Sequence, residues 1–375
     1  MNGLKRVGIL LVISVFFIVL GESFAPGEIQ SRTIVLGLGV DVSPNDNDRL
    51  MLTAEVVSPG NGSEQVGVFT KTVTVEGKSL GEAVGAIAEK TGKEPSLGQC
   101  GVLLVGSSLY ETRDFTDVVE FFVQSDGFNE NAVPCCTSNA RELMNKSAAL
   151  GQSVSITLVE ALREQAKKIA LPTNSLLRYA RSQAELSQTG YLNFVEFTPS
   201  ENSDEQSESK EQGYFLYNRI AIFRSNRYVC IMTEEETRGF AALTAKVVGD
   251  TFSVTHEGKN YALRTNGKKV NTEYSDGVLC VNVRLQVKLA RADSADIGGL
   301  FTEHGNHIIS DDMIVQAEQQ LSSAVSAFLS MQQRENVDIA EFHEIFRRRY
   351  GTTEQVCNMS MSDIKVEVKI KIVER

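Results

Sequence analysis

Apolar residues alternate with smaller partners at Ile34, Leu36, Leu38 and Val40, the two-residue period of a half-buried strand. Residues 41–48 read as a turn, 50–57 as the hairpin partner and 66–75 as a third strand. The period then lengthens. Leu80, Ala83, Val84, Ile87 and Ala88 recur at helical spacing behind Ser79-Leu80-Gly81-Glu82, where hydroxyl and carboxylate can satisfy orphan amides reciprocally. Gly92 is placed to stop that helix. A short buried strand is predicted over 102–105, then a helix marked by Phe115, Val118, Val119 and Phe122, then a helix over 141–149. Thr157-Leu158-Val159-Glu160 has capping-box spacing and predicts a helix opening there and ending near Pro172.

Between Thr198 and Gly213 the pattern stops. Glu201, Asp204, Glu205, Glu208 and Glu211 crowd a stretch without aliphatic residues, a solvated acidic linker or loop. Beyond it, residues 214–223 and 227–231 read as strands around a turn at Ser225-Asn226, and a helix follows over 234–248. A long strand runs from Val278 to Leu289, and a long amphipathic helix covers 312–332. Ile364, Val366, Val368, Ile370 and Ile372 alternate with charged or polar residues, so the last strand has one wet face. The reading is a multi-domain α+β protein with mixed or antiparallel sheets and packed helices. Its parts are an N-terminal apolar segment (1–25), an α+β region over 27–198 as one unit or two subdomains, the acidic stretch 199–212, and a C-terminal α+β domain over 213–375.

The N-terminal segment changes the picture most. Lys5 and Arg6 precede an apolar run over residues 7–20. As a helix it spans ~21 Å, short of the ~30 Å hydrocarbon core, which fits a signal peptide. Extended to Phe24 it reaches ~27 Å, a marginal membrane anchor that leaves the basic pair cytoplasmic and the rest outward. Ser23-Phe24-Ala25 has the small-x-small form of a cleavage site, but Pro26 hinders cutting. Val19-Leu20-Gly21 reads like the run before a lipid-modified cysteine, yet Glu22 follows, and a carboxylate cannot carry a thioether-linked lipid. Either the segment stays uncleaved or the lipid is absent.

At 375 residues the chain is too long for one ordinary core. Its net charge of -11 argues against nucleic acid and against electrostatic adhesion to anionic lipid. The six cysteines include no C-x-x-C pair and read as buried small hydrophobes, with one long-range bridge left open. Gly37-Leu38-Gly39 has the start of a dinucleotide loop, but Val42 stands at the third glycine position and the context is a strand. His304 and His307 have zinc-ligand spacing with Asp311 and Asp312 near, but lack further ligands and read as loop histidines. Glu234-Glu235-Glu236 falls in the first turn of a helix after Thr233, where carboxylates meet the positive end of the dipole. Arg347-Arg348-Arg349 reads as a solvated face or a partner-binding edge. No catalytic, cofactor or metal residue is assigned.

Several stretches together resemble one family, the C subunits of nutrient germinant receptors of spore-forming bacteria, Ger(x)C. The opening strand Ile34 to Asp41 with its hairpin partner is similar to the family's first hairpin. Residues 74–91, TVEGKSLGEAVGAIAEKT, resemble its strand–helix unit, and residues 98–106 the strand that follows. The most specific match runs from Ala221-Ile222-Phe223 to Thr233-Glu234-Glu235-Glu236-Thr237-Arg238-Gly239-Phe240. The long helix closing on Asp338-Ile339, residues 341–348 and the alternating last strand also fit. The resemblance implies a non-enzymatic, extracytoplasmic protein at the spore's inner membrane. Its partners would be the integral-membrane A and B subunits, it would act in nutrient-triggered germination, and any contact with the nutrient would be indirect. It departs from the family at Glu22, where a lipidated cysteine is usual, and at Asp338-Ile339-Ala340-Glu341-Phe342. The partner-contact candidates are Glu235, Glu236, Thr237 and Arg238 at one helix start and Arg347, Arg348 and Arg349 at the basic edge. Two other readings differ in what they require. A hydrolase of wall polymers needs paired carboxylates in a cleft. A substrate-binding protein needs two similar lobes around an apolar cleft.

Overall fold

Strands β1 (Arg32–Val42), β2 (Leu50–Val57) and β3 (Thr70–Gly77) form an antiparallel meander in the computed structural model of the chain. The structure describes residues 31–58, 69–146, 153–168, 172–199, 213–244, 250–275, 278–292, 309–351, 360–361 and 364–374. The N-terminal apolar segment with Glu22, the acidic residues 200–212, and His304 and His307 lie outside them. No helix among the described residues is long and apolar enough to cross a membrane.

Beside β1 run β5 (Val102–Gly106), β6 (Val133–Thr137) and β7 (Thr189–Pro199), all parallel, then β8 (Gly213–Arg224) and β9 (Arg227–Ile231), antiparallel. With β4 (Glu94–Ser96) on β1, they make a nine-stranded mixed sheet. Helices cover both faces. On one lie α1 (Leu80–Thr91), α2 (Ser107–Tyr110), α3 (Thr116–Gln124) and α6 (Leu176–Ala184), packed on Leu38, Val40, Leu103, Val105 and Cys136. On the other lie α4 (Ala140–Met144) and α5 (Val154–Lys168), packed on Val102, Leu104 and Cys135. The neighbours Cys135 and Cys136 thus point into opposite cores, as alternation along a strand requires. Cys100, Cys135, Cys136, Cys230 and Cys280 are all free thiols.

Double coverage corrects the half-buried reading of β1, which is buried from Val35 almost to its end apart from a partly exposed Leu36. Central strands covered on both sides lose their wet face. It also explains Gly37 and Gly39. A Cβ on Gly37 would lie 2.1 Å from Ser155 Oγ, and one on Gly39 3.1 Å from Ala140 Cβ. These glycines let α5 and α4 approach the sheet, and their strand setting is no phosphate loop. Asp41, read as turn, is the buried end of β1.

Local signals hold at α1, where Ser79 Oγ accepts from Glu82 N at 3.2 Å and Gly92 ends the helix at φ 71°. They fail at α5. That helix begins at Val154, three residues before the Thr157 cap. Ser153 Oγ accepts from Ile156 N at 3.2 Å, and Thr157 Oγ1 instead donates to Ser153 O. The amides of Val154 and Ser155 turn to a remote acceptor, Glu55 of β2. The β8–β9 turn has Ser225 at φ 50° and Asn226 at φ 56°, the left-handed pair of a tight hairpin. Tyr179 donates to Asn226 Oδ1 at 3.0 Å and sits in an aromatic cluster with Phe115 and Phe223.

The second sheet has the order β10 (Thr251–His256), β11 (Lys259–Ser275), β12 (Val278–Ala292), β13 (Lys365–Glu374). The first three strands are antiparallel and the last pair parallel, so the sheet is mixed. Between β12 and β13 come α8 (Asp311–Glu335) and α9 (Phe342–Tyr350). With α7 (Glu234–Thr244), α8 packs Phe240, Leu321, Val325 and Phe328 onto Val281, Val283, Leu285 and Phe252. This core continues onto Tyr191, Ile220 and Ile222 of β7 and β8. The 199–212 stretch, placed between two domains, joins strands that pair within one sheet, Pro199 facing Gly213. Residues Gly213 to Ile231 therefore belong to the first sheet.

Candidate functional site

Helix α7 opens on a complete capping box. Thr233 Oγ1 accepts from Glu236 N at 3.2 Å, and Glu236 Oε2 accepts from Thr233 N at 2.8 Å. The other two acids look elsewhere: Glu234 accepts from Asn218 Nδ2 at 2.6 Å, and Glu235 from Ser323 Oγ at 2.6 Å. The triple-glutamate start thus ties α7 to β8 and α8. Arg238 donates through Nε to Asp250 at 2.8 Å, reaches Thr251 O at 3.1 Å, and lies 4.6 Å over the Phe252 ring. Thr237 is buried.

Glu235, Thr237 and Arg238 line an open cleft of about 790 Å³. Its walls come from β8, α7, the start of β10, β11, β12 and α8. Lys268 of β11 enters it and donates to Ala241 O at 2.5 Å. Burial pulls its pKa down to about 8. Lys268 was not legible in the sequence, since Lys268-Lys269 looks like any solvated pair.

Arg347 and Arg348 lie on α9 and do not line the cleft. Both donate to Glu344, at 2.5 Å and 3.0 Å. The Arg347 hydrogen bond, with Arg348 beside it, holds the Glu344 carboxyl below its ordinary range. Arg348 keeps 75% of its side chain exposed. The two groups of candidates, α7 start and basic edge, therefore occupy separate places.

Among the described residues the buried carboxylates are Asp41, Glu55 and Asp338, and each accepts from backbone amides at a helix start. Asp41 takes Ala140 N at 3.1 Å and Arg141 N at 2.9 Å, while burial raises its pKa against their pull. Glu55 takes Val154 N and Ser155 N. Asp338 takes Phe342 N at 2.8 Å, His343 N at 2.7 Å and the His343 ring at 2.7 Å. Asp338→Ala is expected to cost about 3 kcal/mol by orphaning these donors, and thermal unfolding followed by circular dichroism checks it. An unchanged melting temperature would refute the capping role.

No cluster of metal-ligating side chains occurs among the described residues. Asp312, named beside the histidine pair, instead bonds His256 Nδ1 at 2.7 Å. Burial pushes the thiol of Cys100 up to about 12 and that of Cys135 higher still, which leaves both protonated and unreactive.

Two family models match in order along the chain: the spore germination protein N-terminal domain over residues 27–197, and the spore germination B3/GerAC-like C-terminal domain over residues 218–375. The chain belongs to the GerAC spore germination family. A crystal structure of the GerBC protein is similar at 15% identity, covering 90% of this chain and 96% of that chain, with a TM-score of 0.46. A comparison with curated proteins gives no match. In this GerAC-family chain the segment Thr233 to Phe240 supplies the capping box, the cleft wall and the crossing point of two helices. Gly239 makes that crossing, since a Cβ there would lie 2.1 Å from Ala324 O.

Proposed function

We propose that the chain is a non-enzymatic C subunit of a germinant receptor, acting in nutrient-triggered germination at the outward face of the spore's inner membrane. The observation that carries this is the ordered match of both germination domains over most of the chain. The N-terminal apolar segment is the attachment we infer, because Glu22 cannot carry a lipid and the net charge of -11 disfavours electrostatic adhesion. The body then docks on the integral-membrane A and B subunits and biases their closed-to-open equilibrium, which requires different affinity for the two states. Nutrient sensing is assigned to the assembly, with an indirect role for this subunit.

The buried carboxylates favour a non-catalytic reading, for each is engaged by backbone amide donors at a helix start. The α9 edge, with Arg348 exposed, is the docking face we favour. The α7 start, whose Glu234 and Glu235 are exposed but engaged by Asn218 and Ser323, is the second candidate for a partner contact. Spores lacking the chain are expected to lose the response to the nutrient whose receptor genes lie beside it while keeping their other resistances. Spores that germinate on every nutrient at the parental rate would contradict the proposal.

A further inference from the structure

The cleft beside α7 holds more polar capacity than the chain itself uses. Thr237 and Thr265 are 3% and 4% exposed, and among the described residues the Oγ1 of each has no hydrogen-bond partner. Buried hydroxyls are normally paired, because an orphan costs its full desolvation. Both residues line the cleft, as does Lys268. Lys268 bonds Ala241 O, one helical turn beyond Thr237 on the same face of α7, so ammonium and hydroxyl serve one region. One bond leaves two of its three N–H donors, and among the described residues no carboxylate is in ion-pair contact with it. Asp250, the acid whose charge it feels, is taken by Arg238. The remaining walls include Phe215, Leu285 and Leu321, and the volume of about 790 Å³ is that of a small-molecule pocket.

We propose that this cleft binds a small monocarboxylate with an apolar body, its carboxylate held by Lys268 and the hydroxyls of Thr237 and Thr265, and its body against Phe215, Leu285 and Leu321. Among the described residues lining the cleft, Lys268 is the cation without an ion pair, which suits one negative charge. Glu234, Glu235 and Asp250 on the same lining repel any anion, and a dianion such as phosphate about twice as strongly as a monocarboxylate. The low pKa of Lys268 accords with this, since an ammonium buried without a counterion gains most from a bound anion. A ligand there touches the first sheet through β8 and the second through β11 and β12, so it bridges the two halves of the protein. The site holds whichever membrane proteins the chain meets.

The test is equilibrium dialysis of the full-length chain in lipid nanodiscs against radiolabelled benzoate and hexanoate, with benzamide as the uncharged control. Saturable binding of at least one carboxylate is expected. Benzamide, and carboxylate binding by Lys268→Met, should each be weaker by about tenfold or more, the loss of a hydrogen bond to a charged group. Thr237→Val and Thr265→Val keep the shape of the side chain and should each weaken binding several-fold, which keeps the test open if Lys268→Met misfolds. Equal binding of benzamide and benzoate would overturn the proposal, as would wild-type affinity in the valine variants or no saturable carboxylate binding at millimolar ligand.

Discussion

Gly239→Ala is expected to destabilise the protein by about 3 kcal/mol or more, against the usual direction for glycine in a helix. Alanine ordinarily gains about 1 kcal/mol at such a position. Here the added Cβ would stand 2.1 Å from Ala324 O, 2.6 Å from Ala324 C and 2.9 Å from Phe328 Cβ. The first two are backbone atoms of α8, which have no rotamer to yield. To admit the methyl group, α7 and α8 must separate, opening the core in which Phe240 and Phe328 lie 5.4 Å apart. Gly85→Ala is the control. Gly85 is also helical, but a methyl group there would meet nothing within 4 Å, so that variant should be stabilised by about 1 kcal/mol. Denaturant unfolding of the two variants should therefore give opposite signs. A Gly239→Ala protein as stable as wild type would disprove the close crossing.

The second large effect is at Glu55. Its carboxylate is fully buried and accepts from Thr70 Oγ1 at 2.9 Å, Ser153 Oγ at 3.0 Å, Val154 N at 3.1 Å and Ser155 N at 2.9 Å. Among the described residues no cation stands in ion-pair contact with it. Amide and hydroxyl donors and the positive end of α5 stabilise the charge instead. Glu55→Ala removes the acceptor and leaves several buried donors unpaired, for a loss of about 4 kcal/mol. Because Ser155 also packs over Gly37, the start of α5 should loosen from β1. Glu55→Gln keeps one acceptor oxygen but turns an NH2 toward donors, so it should fall between alanine and wild type. Hydrogen exchange at Val154 and Ser155 reads this directly. Protection equal to wild type in the alanine variant would refute it.

What the sequence revealed follows the range of the forces involved. Helix α1 and the start of α7 are legible because their caps lie within three residues, Ser79 to Glu82 and Thr233 to Glu236. The hairpin at Ser225-Asn226 is legible for the same reason. The start of α5 is less so, because its local cap is Ser153 rather than Thr157 and its first two amides are met by Glu55, far away in the chain. Strand β1 misleads because small residues, read as the wet face, are there to admit helices. The site divides in the same way. The Glu235–Arg238 segment stands out in the chain, but Lys268 and Thr265 join it only after β11 folds against α7. Gly239 is conspicuous within that motif, yet its reason lies at Ala324, far along the chain.

The central claim is that this GerAC-family chain works as a docked subunit on membrane proteins. Affinity purification of the full-length tagged chain from solubilised spore membranes, followed by mass spectrometry, tests it most directly. The account predicts recovery with polytopic A and B subunits in fixed proportion, reduced when Arg348→Glu reverses the exposed edge. A chain recovered from spores as a free soluble monomer, with no polytopic protein attached, would contradict it.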